Sequence, residues 1–347
     1  MLQSNNIILR NRRNFNFPII FGCLFLLFAV CYFSTTNVQL AYSQEYIFER
    51  QFGSAGTSLG EFSQPQGIAS DSSGNIYITS FTSLSNQIQK FTSNGTFITS
   101  WGSLGFGPSR FTNPSGITID SSDNVYVADF GDPDNAIQKF TSNGTFITLW
   151  GSFGLGDGQF INPGGIDTDS SDNVYVADFG ENNNIQKFDS NGNFIMKWGS
   201  PGTADGQFIN PVSISVDKSN NNNNVYVLDK SNNRIQKFDS NGNFIMKWGS
   251  PGTADGEFNS PDGIATDSEG NVFVADSENH RIQKFDSNGN FITKWGSMGS
   301  GDGQFRHPAS IATDSEGNVF VADSDNDRIQ VFKQVSKSSA SNSVPVS

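Results

Sequence analysis

The sequence is short of cysteine, histidine and basic charge, and each shortage excludes a class of chemistry. Its two cysteines, Cys23 and Cys31, both lie in one apolar segment, so the rest of the chain has no disulfide and no thiolate for catalysis or zinc binding. His280 and His307 are the only imidazole bases and imidazole metal ligands. Residues 1–43 hold three of the 21 Lys and Arg and none of the 34 Asp and Glu, so the remainder carries a formal charge of −16. A surface this acidic repels phosphate backbones, and we expect no nucleic acid partner.

An export signal is predicted at the N-terminus. Arg10, Arg12 and Arg13 precede the apolar run 17–33, and no acidic residue lies in either part. The run is about 17 residues long, near the lower limit for spanning a bilayer, and the triplet 41–43 resembles a small-x-small cleavage site. Residues 1–43 are expected to be a cleaved signal peptide or a retained membrane anchor, with a degenerate lipoprotein box at 28–31 as a further alternative. The rest of the chain is predicted to be extracytoplasmic, secreted or membrane-anchored, with no other membrane contact.

Glycine and phenylalanine are abundant, with 36 and 32 residues, and the chain has an internal period. Six prolines occupy one repeat position: Pro65, Pro114, Pro163, Pro211, Pro261 and Pro308. All five tryptophans occupy another: Trp101, Trp150, Trp198, Trp248 and Trp295. This period predicts six copies of one supersecondary unit.

One unit, residues 261–299, illustrates the strand pattern. Gly263 to Asp267 is a short apolar run that ends in a turn, and residues 272–276 form a β-branched and aromatic run. Residues 281–285 and 291–295 predict a third and a fourth strand, joined by an Asn-Gly pair that favours a type I′ hairpin. Each unit is therefore predicted to be a four-stranded antiparallel meander.

A single meander cannot cover both of its apolar faces, so the units are expected to stack face to face in a ring. We predict an all-β fold, a six-bladed β-propeller of four-stranded antiparallel blades spanning residues 44–336. The sixth unit stops after its third strand, and residues 45–53 match the missing fourth strand, with Phe52 in the tryptophan position. The N-terminal strand is therefore predicted to close the ring in the last blade, and residues 337–347 to form a flexible tail.

Three patterns in this unit resemble the NHL repeat: Gly263-Ile264-Ala265-x-Asp267, Asn271-Val272-Phe273-Val274-Ala275-Asp276 and Asn279-x-Arg281-Ile282-Gln283-x-Phe285. The resemblance covers residues 45–333 and implies a propeller. It also implies blade-stabilising ion pairs in the units that keep the arginine: Asp229 with Arg234, Asp276 with Arg281, and Asp323 with Arg328. It does not select a function, because similar proteins include extracellular amidating lyases, kinase sensor domains, RNA-binding propellers and ubiquitin-ligase-associated propellers.

Two carboxylate patterns suggest cation binding, but each has a simpler interpretation. The sequence Asp-Ser-Asn-Gly-Asn begins at Asp189, Asp239 and Asp286, and the spacing of its side-chain oxygens is similar to that of a calcium loop. A calcium loop, however, has glycine at its sixth position, whereas here glycine is the fourth residue and a strand follows immediately. The pattern therefore favours a hairpin. An aspartate also ends the first strand of every unit: Asp71, Asp120, Asp169, Asp217, Asp267 and Asp314. These six carboxylates could bind a cation in the central channel, or each could accept hydrogen bonds from the backbone of the turn that follows it. The turn role is favoured. We assign no metal site and no cofactor.

Enzyme activity is not assigned. The amidating lyases that share the repeat depend on histidine-bound metal, and two histidines in different kinds of loop do not supply such a set. A metal-dependent lyase or hydrolase built on carboxylates is the alternative to a binding protein, and a ubiquitin-ligase-associated role, transferred from similar proteins, is a third. The sequons at Asn94 and Asn143 are candidate glycosylation positions.

Comparison of the six units separates two faces of the predicted disc. The turn face, formed by the turns between first and second strands and between third and fourth strands, is nearly uniform apart from an insertion at 220–224. The loop face, formed by the second-to-third connections and the interblade segments, varies in length and chemistry. We predict a monomer that binds a protein, glycan or small ligand through the loop face, with these candidate residues: Phe81, Phe106, Phe130, Phe153, Phe179, Arg110, His280, Arg306 and His307. The alternative is that the phenylalanines pack between neighbouring blades.

Overall fold

The computed structural model describes residues 44–80, 86–131, 135–219 and 223–336. These residues contain the following strands: β1 (Gln44–Phe52), β2 (Pro65–Ser70), β3 (Ile76–Ser80), β4 (Gln87–Phe91), β5 (Phe97–Trp101), β6 (Pro114–Ile119), β7 (Val125–Asp129), β8 (Ala136–Phe140), β9 (Phe146–Trp150), β10 (Asn162–Thr168), β11 (Val174–Phe179), β12 (Asn184–Phe188), β13 (Phe194–Trp198), β14 (Pro211–Asp217), β15 (Asn224–Asp229), β16 (Arg234–Phe238), β17 (Phe244–Trp248), β18 (Gly263–Thr266), β19 (Val272–Asp276), β20 (Arg281–Phe285), β21 (Phe291–Trp295), β22 (Pro308–Thr313), β23 (Asn318–Asp323) and β24 (Arg328–Ser336). Short 3-10 helices follow β15, β19 and β23, at Lys230–Asn232, Ser277–Asn279 and Ser324–Asn326. The described residues all belong to one compact unit.

The strands of the described residues form six antiparallel sheets of four strands each, as predicted. Blades 1 to 5 are β2–β5, β6–β9, β10–β13, β14–β17 and β18–β21, and blade 6 combines β22–β24 with β1. The first strands of successive blades contact one another, and β22 contacts β2. The ring is therefore closed, and the prediction of a six-bladed propeller is confirmed.

The closing strand lies where the repeat pattern predicted it. β1 pairs antiparallel with β24 from Gln44 opposite Ser336 to Phe52 opposite Ile329, with one bulge. Phe52 also occupies the tryptophan position, because it covers the hairpin glycine of the next blade: a Cβ at Gly95 would lie 2.7 Å from the Phe52 side chain. The first and last strands of the described propeller thus complete one sheet.

The hairpin between third and fourth strands is not the predicted type I′ turn. In blade 5 the Gly289 N–H donates to the Asp286 carbonyl over 3.0 Å, and Gly289 alone of the Asn-Gly pair has a positive φ, 75°. The pairing register shifts beside Phe285. These features define a type I turn followed by a G1 bulge. The Asp286 carboxylate favours this form because it accepts the N–H groups of Asn288 and Asn290. The strings at Asp189 and Asp239 make the same contacts and are hairpins.

The hydrophobic core lies between adjacent blades and recurs around the ring. In the layer between blades 2 and 3, Tyr126, Ile137, Phe160 and Val174 are fully buried, and Trp150 packs against them. Successive side chains of a strand point to opposite faces of the sheet, so every blade contributes apolar side chains to both neighbours. This alternation explains why the second and third strands are apolar on both faces.

No helix among the described residues is long and apolar enough to cross a membrane. The apolar run 17–33 and the tail 337–347 both lie outside the described residues.

Candidate functional site

The first strands of the blades line an axial channel that has a cavity at each end. At the turn face it opens into a cavity of about 520 Å³, and at the loop face into one of about 190 Å³. One isoleucine from each blade lines the turn-face cavity: Ile68, Ile117, Ile166, Ile214, Ile264 and Ile311. The two cavities are therefore built from successive positions of the same six strands.

The residue after the repeat proline lines the loop-face cavity in all six blades. We call this set the mouth ring, and it contains six different residue types: Gln66, Ser115, Gly164, Val212, Asp262 and Ala309. Two positions later along each strand, by contrast, every blade has isoleucine. The mouth ring thus breaks the sixfold symmetry of the channel at its loop-face end, which a repeated scaffold does not require.

An aromatic pair forms one side of the loop-face cavity. Phe130 and Phe179 occupy equivalent positions in blades 2 and 3, and both line the cavity. Their ring centroids are 5.7 Å apart at an interplanar angle of 72°, an edge-to-face contact. Both rings are half-buried, and a Cβ at Gly164 would lie only 3.0 Å from the Phe179 ring. The glycine of the mouth ring therefore makes room for the aromatic pair.

A carboxylate with one oxygen that forms no hydrogen bond lines the same cavity. Asp262 Oδ1 binds the Lys230 ammonium, while Asp262 Oδ2 lies 3.5 Å from His307 Nε2, which in turn lies 3.6 Å from Glu278 Oε1. The Asp262 side chain is 15% exposed, and among the described residues no donor forms a hydrogen bond with its buried Oδ2. Buried carboxylate oxygens are nearly always hydrogen-bonded. Asp262 Oδ2 therefore departs from this pattern and keeps an unused capacity to accept a hydrogen bond.

The predicted loop-face residues separate into two groups in the structure. Phe130 and Phe179 meet at the cavity, and His307 lies beside His280, since its N–H donates to His280 Nδ1 over 3.3 Å. Four others lie on interblade segments, are exposed and do not line the cavity: Phe106, Arg110, Phe153 and Arg306. Phe81 lies outside the described residues.

Packing between neighbouring blades, the alternative interpretation of the phenylalanines, describes Phe130 and Phe179, whose rings contact each other across blades 2 and 3. It does not describe Phe106 and Phe153. Each side chain is 56% exposed. The candidate glycosylation residues Asn94 and Asn143 are also exposed, in hairpins of the turn face. Their use as glycosylation sites stays a prediction.

The aspartates that end the first strands serve the turns that follow. Asp71 Oδ1 accepts the N–H groups of Ser73 and Asn75 over 3.0 and 2.8 Å, and its Oδ2 accepts the Tyr77 hydroxyl over 2.9 Å. Burial by itself would raise the pKa of Asp71, but the hydrogen bonds from Asn75, Tyr77 and Lys90 outweigh it and keep the pKa below its usual value. The pKa values of Asp120 and Asp169 are lowered in the same way. Within the described ranges, no three Asp, Glu, His or Cys side chains are arranged to hold a metal ion.

Two residues of the turn-face cavity depart from the repeat. Lys218 replaces the serine of the other units, and its Nζ lies 3.4 Å from Asp167 Oδ1. Asp167 also accepts the Thr118 hydroxyl over 2.9 Å and the Val216 N–H over 2.8 Å. The Asp167 carboxylate therefore links blades 2, 3 and 4, and both of its oxygens are occupied by protein donors.

The three predicted ion pairs are formed with equal geometry. Arginine Nε lies 2.7 Å from the aspartate Oδ2 in Asp229–Arg234, Asp276–Arg281 and Asp323–Arg328. In blade 5 the same guanidinium donates to the carbonyls of Thr253, Ala254 and Glu257. Each arginine therefore ties the preceding interblade segment to its blade.

Blade 3 keeps the aspartate but lacks the arginine. Asp178 is fully buried and pairs across the strands with Asn184, the position that Arg234 takes in blade 4. Burial raises the pKa of Asp178 to about 6, although hydrogen bonds from Asn182 and from the N–H groups of Asn162 and Ile161 oppose the rise. This carboxyl therefore gains its charge close to neutral pH.

A pH dependence of stability follows from Asp178. Because its pKa is higher in the folded state, ionisation disfavours folding, and the free energy of unfolding should fall by about 2 kcal/mol between pH 4.5 and 7.5. The carboxyls with lowered pKa contribute stability that is lost mainly as the pH falls through and below their usual pKa of 3.8, so they change the slope little in this window. Urea titrations at both pH values should show this slope in the wild type and lose it in Asp178→Asn. Asn184→Arg should also flatten it, and an unchanged slope in both variants would contradict this assignment.

Lys230, Asp262 and Glu278 were not among the residues predicted from the sequence. The predicted loop-face residues are mainly loop aromatics, whereas Asp262 lies at the entry to a first strand. A signal was present, because the residue after the repeat proline differs in every unit. Recognising it requires knowing that this position faces the channel.

Several solved structures share the fold at low sequence identity. A protein of unknown function from Bacteroides thetaiotaomicron is 16% identical, with a TM-score of 0.66 over 84% of this chain and 76% of that one. An auxiliary nutrient binding protein from the same species is 14% identical, with a TM-score of 0.61 over 84% and 77%. A catalytically inactive virginiamycin B lyase from Staphylococcus aureus, crystallised with quinupristin, is 16% identical, with a TM-score of 0.56 over 84% and 88%. No curated protein matches the sequence significantly.

The sequence also matches the NHL repeat family over residues 111–140, 160–188, 258–285 and 305–332. These segments cover the first three strands of blades 2, 3, 5 and 6. Blades 1 and 4 form the same four-stranded sheet without a match; blade 1 has Ser80 in place of the paired aspartate, and blade 4 carries the insertion before β15. The chain is therefore an NHL-repeat protein folded as a six-bladed β-propeller.

Proposed function

We propose that the protein is an extracytoplasmic binding module that holds a small ligand in the loop-face mouth of its channel. The observation that carries this proposal is the mouth ring, in which six structurally equivalent positions hold six different residues around one cavity. The isoleucine two residues later in the same strands is identical in all six blades, since it packs in the same surroundings in each blade. Asymmetry at a concave site is typical of ligand recognition.

The aromatic pair and the acidic residue supply complementary contacts. Half-buried phenylalanine rings offer apolar surface at a low entropic cost, while Asp262 offers a directed hydrogen-bond acceptor. Solved structures of similar fold include auxiliary nutrient binding proteins from Bacteroides thetaiotaomicron and Bacteroides ovatus. Their described role agrees with a binding function on this scaffold.

The proposal predicts that small molecules bind through Phe130 and Phe179. Purified full chain is incubated with an envelope metabolite extract, washed and analysed for retained compounds by mass spectrometry. Compounds enriched on the wild type should fall at least tenfold on a Phe130→Ser/Phe179→Ser variant, because the apolar wall of the cavity is lost.

The matched control removes two phenylalanines of the same face that do not line the cavity. Phe106→Ser/Phe153→Ser should retain the compounds at wild-type levels, since both side chains are exposed. Urea denaturation of each variant separates binding from folding. If the cavity variant loses stability but retains the same compounds as the wild type, the loop-face site is wrong.

Export is part of the proposal and rests on the basic and apolar pattern of residues 1–43. Cell fractionation with mass spectrometry of the N-terminus tests it. An extracytoplasmic protein that begins near Ser43 indicates cleavage, and one that retains residues 17–33 in the membrane fraction indicates an anchor. Recovery of the intact chain from the cytoplasm would contradict export.

A further inference from the structure

The charge distribution around the loop-face cavity is unequal. Among the described residues that line this cavity, Asp262 is the one with a charged side chain. Asp262 lines the aromatic cavity, and its buried Oδ2 forms no hydrogen bond with a donor of the described residues, although His307 Nε2 lies 3.5 Å from it. Lys230 occupies the other oxygen, so the carboxylate is held in place while one acceptor remains.

We infer that the ligand of this cavity is a small organic amine that carries an apolar or aromatic group. This inference rests on the proposed loop-face function and specifies its ligand class. The ammonium donates a hydrogen bond to Asp262 Oδ2, and the apolar group packs against Phe130 and Phe179. An ammonium close to aromatic rings gains a further electrostatic attraction from their π faces.

The chemistry of the cavity distinguishes an amine from other charged ligands. A hard divalent cation takes six or more oxygen ligands, whereas the described lining of this cavity contains one carboxylate and two aromatic rings. An anion would meet the Asp262 carboxylate within a domain of formal charge −16. The organic cation is the class that both the local carboxylate and the overall charge attract.

The size of the cavity limits the bound group. A volume of about 190 Å³ is below the 300 to 1,000 Å³ or so of typical drug-sized pockets. It suits a single ring or short alkyl chain with its amine, and any larger part of a ligand would extend beyond the mouth over the loop face.

Three probes of similar shape test the ligand class on the full chain by isothermal titration calorimetry. They are 2-phenylethylamine, the neutral 2-phenylethanol and the anionic 3-phenylpropionate. The amine should bind at least tenfold more tightly than the alcohol, and the carboxylate should bind most weakly. Asp262→Asn should remove the preference for the amine, because the charge is lost while the size of the side chain is kept.

A matched control and a second variant guard against a folding effect. Asp325→Asn removes a carboxylate from an exposed position of the same face that does not line the cavity, and should leave amine binding unchanged. Lys230→Met frees Asp262 of its competing ammonium, so amine affinity should rise severalfold. A variant that binds more tightly must be folded.

The outcomes separate this inference from the function on which it rests. If the alcohol binds as tightly as the amine and Phe130→Ser/Phe179→Ser abolishes both, the cavity is a ligand site but the amine class is wrong. Tighter binding of 3-phenylpropionate, undetectable binding of the amine, or full amine affinity in Asp262→Asn would each overturn the inference. Metabolite retention that depends on the two phenylalanines would still support the proposed function.

Discussion

Replacing Tyr46 with alanine is expected to lower the free energy of unfolding by about 3–5 kcal/mol, the usual cost of truncating a buried aromatic side chain. Tyr46 belongs to the closing strand β1 and is 7% exposed. Its ring stacks on Trp295 of blade 5, with centroids 4.4 Å apart and planes 16° from parallel. The side chain therefore joins the strand that closes blade 6 to the neighbouring blade.

The tyrosine hydroxyl adds a polar link to the same seam. It accepts a hydrogen bond from the Lys284 ammonium over 3.0 Å and donates one to Gln334 Oε1 over 3.0 Å. Tyr46→Phe keeps the ring and removes these bonds, so a smaller loss of about 1–2 kcal/mol is expected. The difference between the two variants separates the packing contribution from the polar one.

Urea denaturation followed by tryptophan fluorescence measures both losses. Ile47→Ala is the matched control, because Ile47 is the next residue of β1 and is 47% exposed; its effect should stay within about 0.5 kcal/mol. If Tyr46→Ala unfolds at the same urea concentration as Ile47→Ala, closure through β1 does not hold the ring together.

Replacing Arg281 with methionine is expected to cost about 3–5 kcal/mol, because it leaves the charge of a buried pair without its partner. Asp276 is fully buried, and Arg281 Nε lies 2.7 Å from its Oδ2. The guanidinium also satisfies the carbonyls of Thr253, Ala254 and Glu257. The substitution therefore removes both the ion pair within blade 5 and the hydrogen bonds that hold the preceding interblade segment to it.

A double substitution tests whether the charge is the cause. In Asp276→Asn/Arg281→Met the unpaired carboxylate is gone, so the loss should be smaller than the sum of the two single losses. Arg306→Met is the matched control, since Arg306 is exposed on the same face and should cost no more than about 0.5 kcal/mol. Strict additivity in the double variant would contradict a coupled buried pair.

The hairpin turn shows where local sequence rules reach their limit. An Asn-Gly pair favours a type I′ turn in an isolated two-residue hairpin, yet here the Asp286 carboxylate binds two N–H groups of the turn and favours a type I turn with a bulge. The strands on either side were predicted correctly because their alternation does not depend on the turn type. A competing side-chain acceptor decided the conformation of the turn.

The strands, the six blades and the closing role of residues 45–53 were determined by the sequence alone. Short apolar strands that repeat with a constant period form sheets with two apolar faces, and stacking the sheets in a ring buries both faces of each. The Asp–Arg pairs could likewise be anticipated from positions that recur. The meeting of Phe130 with Phe179, the unbonded Oδ2 of Asp262 and the burial that raises the pKa of Asp178 were decided by the tertiary structure. These features depend on which residues from distant units face one channel or one buried layer, and ring closure sets those neighbours.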